Sequence, residues 1–183
     1  MEWLMFSYWL PPEPSRKRVS IWRQLKKIGA LSTEGAGWLL PDTERFCESF
    51  SELVRHVEEM GGTANLYRVN HFTEGQEQRT IAKFQQEREK EYSEIIAECH
   101  KALKHIEWEY DRKEFNFEEV EELEGDVDKI KRWLAEITKR DIFQSSVRQE
   151  VEKILEKVEE SLSNFIEKTY EETEKSKSEK NID

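Results

Sequence analysis

Residues 15–29 read SRKRVSIWRQLKKIG, and the fold prediction is built outward from this segment. Apolar side chains recur in it at intervals of three and four residues, which is typical of one buried helix face. Proline suits the first turn of a helix, and glycine commonly follows the last turn. Pro14 and Gly29 therefore predict a helix over about residues 14–28. Its apolar positions are Ile21, Trp22, Leu25 and Ile28.

Strand signals lie on both sides of this helix. Residues 1–10, MEWLMFSYWL, lack a basic leader and stop at two prolines, so they predict a buried strand rather than a signal peptide or a membrane span. The segment Gly35-Ala36-Gly37 predicts a tight hairpin between strands at 30–34 and 38–40, because glycine adopts positive φ angles at little cost. The chain is thus expected to form one strand before the helix and two after it.

A second helix and a fourth strand complete this region. Asp42 or Thr43 can cap the helix, whose narrow apolar stripe ends at Gly61-Gly62, and residues 63–70 form the last strand. Right-handed crossovers fold the order strand, helix, strand, strand, helix, strand most simply into a ferredoxin-like α+β domain over residues 1–72. Because burial is marginal in so small a domain, we expect the following helices or a second subunit to cover the sheet.

Strand signals are absent from the rest of the chain. Apolar residues at helical spacing predict a long helix near 75–112, a helix capped by Asn116 and a helix beginning near residue 145. Residues 73–170 therefore form an antiparallel three-helix region, either as a bundle within one chain or as an intermolecular coiled coil. Residues 171–183 are expected to be a disordered charged tail.

The composition narrows the class of protein. Of the 183 residues, 38% are charged and 36% are apolar, against typical values of roughly 25% and 45–50%, so all-β and membrane-spanning proteins are disfavoured. Cys47 and Cys99 are too few for a disulfide scaffold and indicate a reducing, cytoplasmic compartment. Residues 1–72 carry equal numbers of basic and acidic side chains, so the net charge of -11 arises from residues 73–183.

The first helix carries the most informative charge pattern. At about 100° per residue, Arg16, Arg23 and Lys27 lie within about 40° of one another, opposite the apolar face, and we call these three residues the basic ridge. Cations in the first turn oppose the helix macrodipole, which points to an anionic partner such as phosphate, with a solvated face as the simpler alternative. The candidate DNA- or anion-binding residues are Arg16, Lys17, Arg18, Arg23, Lys26 and Lys27.

Arg18 differs from the other cations of this helix. The helical spacing places it in the middle of the apolar arc, between Trp22 and Leu25. A guanidinium is costly to bury without a partner. We therefore expect Arg18 to extend to the surface, to stack on Trp22 or to pair with an acid, and contact with a ligand is the alternative.

Signatures of catalysis, cofactor binding and metal binding are weak. His100 and His105 lie about 140° apart on a helix, and neither follows a glutamate by three residues, so the pattern of a di-metal bundle site is missing. Cys47 and Cys99 fit core packing, and no phosphate loop or dinucleotide fingerprint is present. The sequence predicts a protein that is not an enzyme and has no cofactor and no metal.

Several short motifs of residues 1–72 match a known pattern. They are Leu4-x-Phe6-Ser7-Tyr8-x-Leu10-Pro11, Ser15-x-x-Arg18-Val19-x-x-Trp22-Arg23-x-Leu25-Lys26-x-x-Gly29-Ala30, Gly37-Trp38-Leu39-Leu40-Pro41 and Gly61-Gly62-x-Ala64-x-Leu66. This set resembles the N-terminal domain of ChrB, the chromate-resistance regulator, and more weakly the central domain of PaaX-type repressors. The segment Glu87-Arg88-x-x-Glu91-Tyr92 is compatible with the same family.

The resemblance implies a regulator of chromate-efflux genes whose basic first helix contacts DNA. Larger members of the family carry a further domain thought to sense chromate, and nothing in this sequence corresponds to it. Related nucleases place an acid at the end of the first strand, where this chain has Ser7-Tyr8-Trp9-Leu10. Neither chromate sensing by this chain alone nor nuclease activity is therefore expected.

Three functions are compatible with these features. The leading hypothesis is a non-enzymatic, cytoplasmic transcription regulator that binds the DNA backbone through the basic ridge, with acidic helices that dimerise or support it. The second is a protein-interaction or scaffold module, in which the ridge docks on an acidic surface such as the helices of a second subunit. The third is an enzyme or oxyanion-binding protein, in which Arg18 and its neighbours receive chromate or a phosphate ester. No membrane partner is expected.

Overall fold

The computed structural model describes residues 1–33, 35, 37–70 and 72–180. Within these ranges a four-stranded antiparallel sheet is combined with five helices, which confirms the predicted α+β class. The elements in chain order are β1 (Trp3–Trp9), α1 (Ser15–Lys27), β2 (Leu31–Thr33), β3 (Gly37–Pro41), α2 (Glu44–Glu59), β4 (Thr63–Val69), α3 (Gln76–Arg112), α4 (Phe117–Thr138) and α5 (Arg148–Lys180).

The sheet has the strand order β2-β3-β1-β4, and every neighbouring pair is antiparallel. β1 lies inside the sheet, so Phe6 pairs with Trp38 of β3 on one side and with Leu66 of β4 on the other. α1 and α2 each connect two strands that have one other strand between them.

The hairpin between β2 and β3 depends on glycine. Gly35 and Gly37 have φ angles of 83° and 136°, as the sequence predicted for this turn. A Cβ atom at Gly37 would lie 2.5 Å from the backbone oxygen of Phe6, so only glycine lets β3 approach β1 this closely. Glu34 and Ala36 of the predicted strand and turn lie outside the described residues, as do His71 and residues 181–183.

The first core lies between the sheet and its helices. Phe6 of β1 stacks on Phe50 of α2 with ring centroids 5.2 Å apart, and both side chains are fully buried. Ile21 and Leu25 of α1 are equally buried. α2 begins where the sequence predicted, because the hydroxyl of Thr43 accepts a hydrogen bond from the backbone N–H of Phe46.

The first compact unit extends beyond the boundary expected at residue 72. It ends at Phe84, within α3, and the second compact unit begins at the next residue. Trp3 gives the physical reason, since its ring packs against Phe72 at 5.5 Å and stacks on Phe84 at 5.8 Å. Its indole N–H also donates a 3.0 Å hydrogen bond to Glu77. The first turns of α3 therefore complete the core around β1.

The second unit is a helical bundle. The remainder of α3, α4 and α5 contribute to one shared apolar core. The start of α4 meets the end of α5 where Phe117 packs edge-on against Tyr170, and the opposite end of α4 meets the earlier part of α3 where Arg140 pairs with Glu91 at 2.7 Å. Neighbouring helices are therefore antiparallel, and their apolar stripes pack within one chain. Asn116 caps α4 as predicted, because its Oδ1 accepts the backbone N–H of Glu119 at 2.9 Å.

Helix α5 continues to Lys180, through residues where the sequence predicted a disordered tail. Thr173 donates a 2.7 Å hydrogen bond to the carbonyl of Thr169, and Lys168 and Lys175 both pair with Glu172 one turn away. Such pairs at helical spacing stabilise an exposed helix. None of the helices in the described ranges is both long and apolar enough to cross a membrane.

Candidate nucleic-acid interface

The basic ridge lies on the exposed face of α1. Ile21 and Leu25 anchor the opposite face in the core without exposed surface. Arg16, Arg23 and Lys27 are all exposed. Among the residues that the structure describes, none of these three side chains forms a hydrogen bond or an ion pair with a neighbour. Their charges are therefore open to an external anion.

Lys17 has a partner within the chain. Its Nζ donates a 2.8 Å hydrogen bond to the carbonyl oxygen of Met60, the residue that caps the C-terminus of α2. The last carbonyls of a helix lack intrahelical partners and carry partial negative charge, so a cation is favourable there. This contact accounts for a cation in the first turn of α1 without an external ligand. Lys17 links α1 to α2.

Arg18 is exposed rather than buried in an apolar face. The side chain is exposed, and its Nη2 donates a 3.0 Å hydrogen bond to the carbonyl of Pro12 in the segment that precedes α1. The prediction that Arg18 extends to the surface is confirmed, whereas the prediction of an apolar arc around it is wrong, because Trp22 on one side of it is 48% exposed. Burial raises the pKa of the nearby Tyr8, and the positive charge of Arg18 opposes this increase.

The exposed face of α1 also carries apolar side chains, which sequence reasoning missed. Trp22 is 48% exposed and Val19 is 42% exposed. Trp22 was expected in the buried stripe. The buried arc of α1 is instead centred on Ile21 and Leu25 and extends to the side away from Trp22. An exposed aromatic ring among cations is typical of surfaces that bind nucleic acids. Lys26 is exposed as well but interacts within the chain, so it is not counted with the ridge.

A buried polar cluster in the second unit joins α3 to the segment between α4 and α5. The hydroxyl of Tyr92 donates a 3.0 Å hydrogen bond to Asp141, whose carboxylate also accepts the backbone N–H of Ser145 at 3.0 Å. Burial, with a smaller contribution from Asp141, raises the pKa of Tyr92 to about 12. Arg88, which is 7% exposed, pairs with Glu91 at 3.0 Å. The motif around Glu87–Tyr92 thus packs the helices of this unit together.

One group of residues in the second unit has the donor chemistry of a metal site. His105 and Glu109 of α3 and Glu119 of α4 bring one ligand atom each to within 4.8 Å of the others. The sequence did not predict this group, because Glu119 comes from another helix. The spacing of His105 and Glu109, one helical turn apart, is the signal that could have found two of the three residues.

Comparisons with known proteins give one match. No curated protein and no solved structure matches the chain. The family model described as Protein ChrB, N-terminal, matches residues 18–176, which begin within α1 and include residues of both compact units. This match confirms the family resemblance, and it covers the motifs from Arg18 onward and the acidic helices. The chain therefore belongs to the ChrB N-terminal family.

Proposed function

We propose that this chain is a non-enzymatic, cytoplasmic DNA-binding module of a chromate-resistance regulator, which contacts the phosphate backbone through the basic ridge of α1. The single observation that carries the proposal concerns the exposure and the ion pairing of Arg16, Arg23 and Lys27. All three are exposed and lack a carboxylate partner among the described residues. The exposed cations Lys168 and Lys175 of α5, by contrast, pair with carboxylates about one helical turn away.

The dimensions of the ridge suit a phosphate backbone. Arg16 and Lys27 are separated by about 16 Å along the helix axis, which spans several phosphates of one strand. The net charge of -11 does not by itself exclude this contact, because a charged patch acts over about a Debye length, roughly 8–10 Å at physiological salt. Trp22 adds an exposed ring beside the cations, which favours contact with a sugar or a base. Phosphate contacts position a protein without selecting a sequence.

The salt dependence of DNA binding tests this proposal. Three neutralised phosphates per chain give a log-log slope of about -2.7, which corresponds to an approximately 40-fold loss of affinity between about 50 and 200 mM salt. The measurement is a fluorescence anisotropy titration with a random duplex at both salt concentrations. The triple variant with alanine at all three ridge positions should bind far more weakly, and its affinity should depend little on salt.

A matched triple variant controls for net charge. Lys101, Lys129 and Lys153 are exposed residues of the second unit. Their replacement by alanine changes the net charge by the same amount as the ridge variant does. This control should retain the wild-type affinity and slope. Equal losses in both triple variants, or a wild-type affinity that does not respond to salt, contradict the assignment of the ridge as the DNA contact.

A second candidate function is salt-sensitive self-association. The unequal charge distribution favours it, since residues 1–72 are neutral overall and residues 73–183 carry the whole net charge of -11. In this case the basic ridge of one subunit docks on the acidic helices of another, and the chain is a homodimer at low salt. Sedimentation velocity at low and high salt distinguishes the two functions. A dimer that dissociates in salt and does not bind the duplex favours self-association.

The topology of the first unit supports the ferredoxin-like part of the interpretation. The element order β1-α1-β2-β3-α2-β4 and the sheet order β2-β3-β1-β4 have the split βαβ pattern of that fold class. In this architecture both helices lie against the sheet and leave one helix face exposed. The exposed face of α1 carries the ridge, so the proposed DNA contact needs no rearrangement of the core.

A further inference from the structure

Three ionisable side chains converge where α3 ends and α4 begins. His105 and Glu109 lie one turn apart on α3, and Glu119 lies in the first turn of α4. The Nε2 atom of His105 is 3.6 Å from Oε1 of Glu109, and one donor atom of each residue lies within 4.8 Å of the other two. The chain therefore places one imidazole and two carboxylates around a common point.

Glu109 is the residue that a simple surface cluster does not explain. Its side chain is 1% exposed, and among the described residues its Oε2 has no hydrogen-bond partner. Buried charged groups are normally paired or bound to a cation. The nearby Arg112 pairs with Glu114 and lies 4.1 Å above the ring of Trp108, so it does not form an ion pair with Glu109.

The neighbouring carboxylate of Glu119 makes the charged form of Glu109 less favourable still. Burial, followed by the proximity of Glu119, raises the pKa of Glu109. Two neighbouring carboxylates repel each other, and the positive charges of Arg112 and His105 offset only part of the effect on Glu109. A buried acid with an unsatisfied oxygen, a second acid and an imidazole together form a donor set that a bound cation would satisfy.

We propose that His105, Glu109 and Glu119 bind one divalent transition-metal ion of the zinc class, with water at the remaining position. Imidazole selects against Ca²⁺ and Mg²⁺, which prefer oxygen ligands alone, and suits Zn²⁺, Fe²⁺ and Co²⁺. Zinc sites with three protein ligands and one water are well known for combinations of histidine and glutamate. The site shares no residue with the basic ridge and does not depend on the proposed DNA contact.

The geometry needs only a small adjustment. Ligand atoms about 2.05 Å from a tetrahedral ion are about 3.4 Å apart. The separation of 3.6 Å between His105 and Glu109 is already close to this value, and the three ligand atoms lie within 4.8 Å of one another, so the ion requires the Glu119 carboxylate to move closer. His105 retains 29% of its side-chain exposure, which provides access for the ion and for water.

The bound ion would connect the two helices. Glu119 lies in the first turn of α4, and its backbone N–H already donates to the side chain of Asn116, the N-cap of that helix. A metal shared between α3 and α4 would therefore fasten the turn between them, at residues 113–116, in addition to the shared apolar core. Metal binding is then coupled to the stability of the second unit.

The experiment measures metal binding by the full chain after removal of metal with a chelator. Isothermal titration with Zn²⁺ should give one ion per chain, and Co²⁺ should produce the intense visible absorption of a tetrahedral site. Zn²⁺ should also raise the melting temperature. Glu109→Gln and Glu119→Gln should each lower the Zn²⁺ affinity by at least about tenfold and abolish the cobalt spectrum.

A matched control is available on the same helix. Glu107 is exposed and two residues from Glu109, so Glu107→Gln makes the same chemical change outside the cluster and should bind as the wild type does. Glu109→Gln keeps the shape of the side chain and removes a buried charge, so circular dichroism should show a folded chain. A wild-type chain that binds neither ion in a 1:1 ratio overturns the proposal. Binding by Glu109→Gln or Glu119→Gln with unchanged affinity overturns it as well.

Discussion

The hydrogen bond between Tyr92 and Asp141 makes a quantitative prediction about pH. Tyr92 is fully buried, and its hydroxyl donates to the Asp141 carboxylate at 3.0 Å. Its pKa is about 12 in the folded chain and 10.0 as the reference value. Folding therefore favours the neutral phenol. The stability from this shift is fully present below about pH 10 and is lost as the pH rises through the folded pKa near 12.

The size of the effect follows from this difference. One pKa unit corresponds to about 1.4 kcal/mol, so the free energy of unfolding should decrease by about 1.4 kcal/mol between about pH 8 and pH 11 through Tyr92 alone. Tyr92→Phe cannot show this decrease. At pH 8 the variant should be less stable by about 2 kcal/mol, because it loses a hydrogen bond to a charged group. The difference between wild type and variant should therefore narrow to about 0.6 kcal/mol at pH 11.

Urea unfolding followed by far-UV circular dichroism measures both quantities, because the helices dominate that signal. Other groups that titrate between pH 8 and pH 11 contribute equally to both proteins and cancel in the difference. Tyr170→Phe serves as a control for the loss of a phenol at an exposed position. A stability difference between wild type and Tyr92→Phe that is the same at both pH values would refute the reasoning.

Two further predictions concern the first unit. Lys17→Met keeps the alkyl stem but removes the contact with the Met60 carbonyl, so the free energy of unfolding should fall by about 1 kcal/mol; a loss of DNA affinity as large as that of a ridge variant, at unchanged stability, would contradict this structural role. Gly37→Ala forces a Cβ to within 2.5 Å of the backbone oxygen of Phe6, so it should lower the free energy of unfolding by at least about 2 kcal/mol, as measured by chemical denaturation. A Cβ at Gly35 would contact nothing, so Gly35→Ala should lower the free energy of unfolding by only about 1 kcal/mol, through its φ of 83°. Equal losses of stability in the two variants would argue against close packing as the cause of the loss at Gly37.

Local signals in the sequence predicted most of the fold. The caps at Thr43 and Asn116 and the glycine turn at Gly37 were found because each depends on the preferences of one residue and its immediate neighbours. The alternation of elements followed from apolar periodicity for the same reason. The strongly charged end of α5 was expected to be disordered, since it lacks an apolar stripe, and the structure continues the helix to Lys180.

The candidate sites were predicted less completely. Helical geometry correctly grouped the basic ridge on one exposed face, but it could not show which cations of α1 already have partners. Lys17 binds a carbonyl 43 residues away, and Arg18 binds one that precedes the helix. Trp22 was counted as core because periodicity alone does not state where a buried arc ends. Each of these outcomes depends on which element packs against α1.

The amino-acid sequence alone determined the class of the fold, the order of its elements, the family motifs and the cationic face of the first helix. These properties come from interactions between residues that are close in the chain, such as caps, turns and helical spacing. Only the tertiary structure decided that Arg16, Arg23 and Lys27 remain unpaired among the described residues, that Trp22 is exposed, and that His105 and Glu109 meet Glu119. Partners and burial are set by chain segments far apart in sequence, because packing in space, not spacing along the chain, determines which polar atoms lose contact with water.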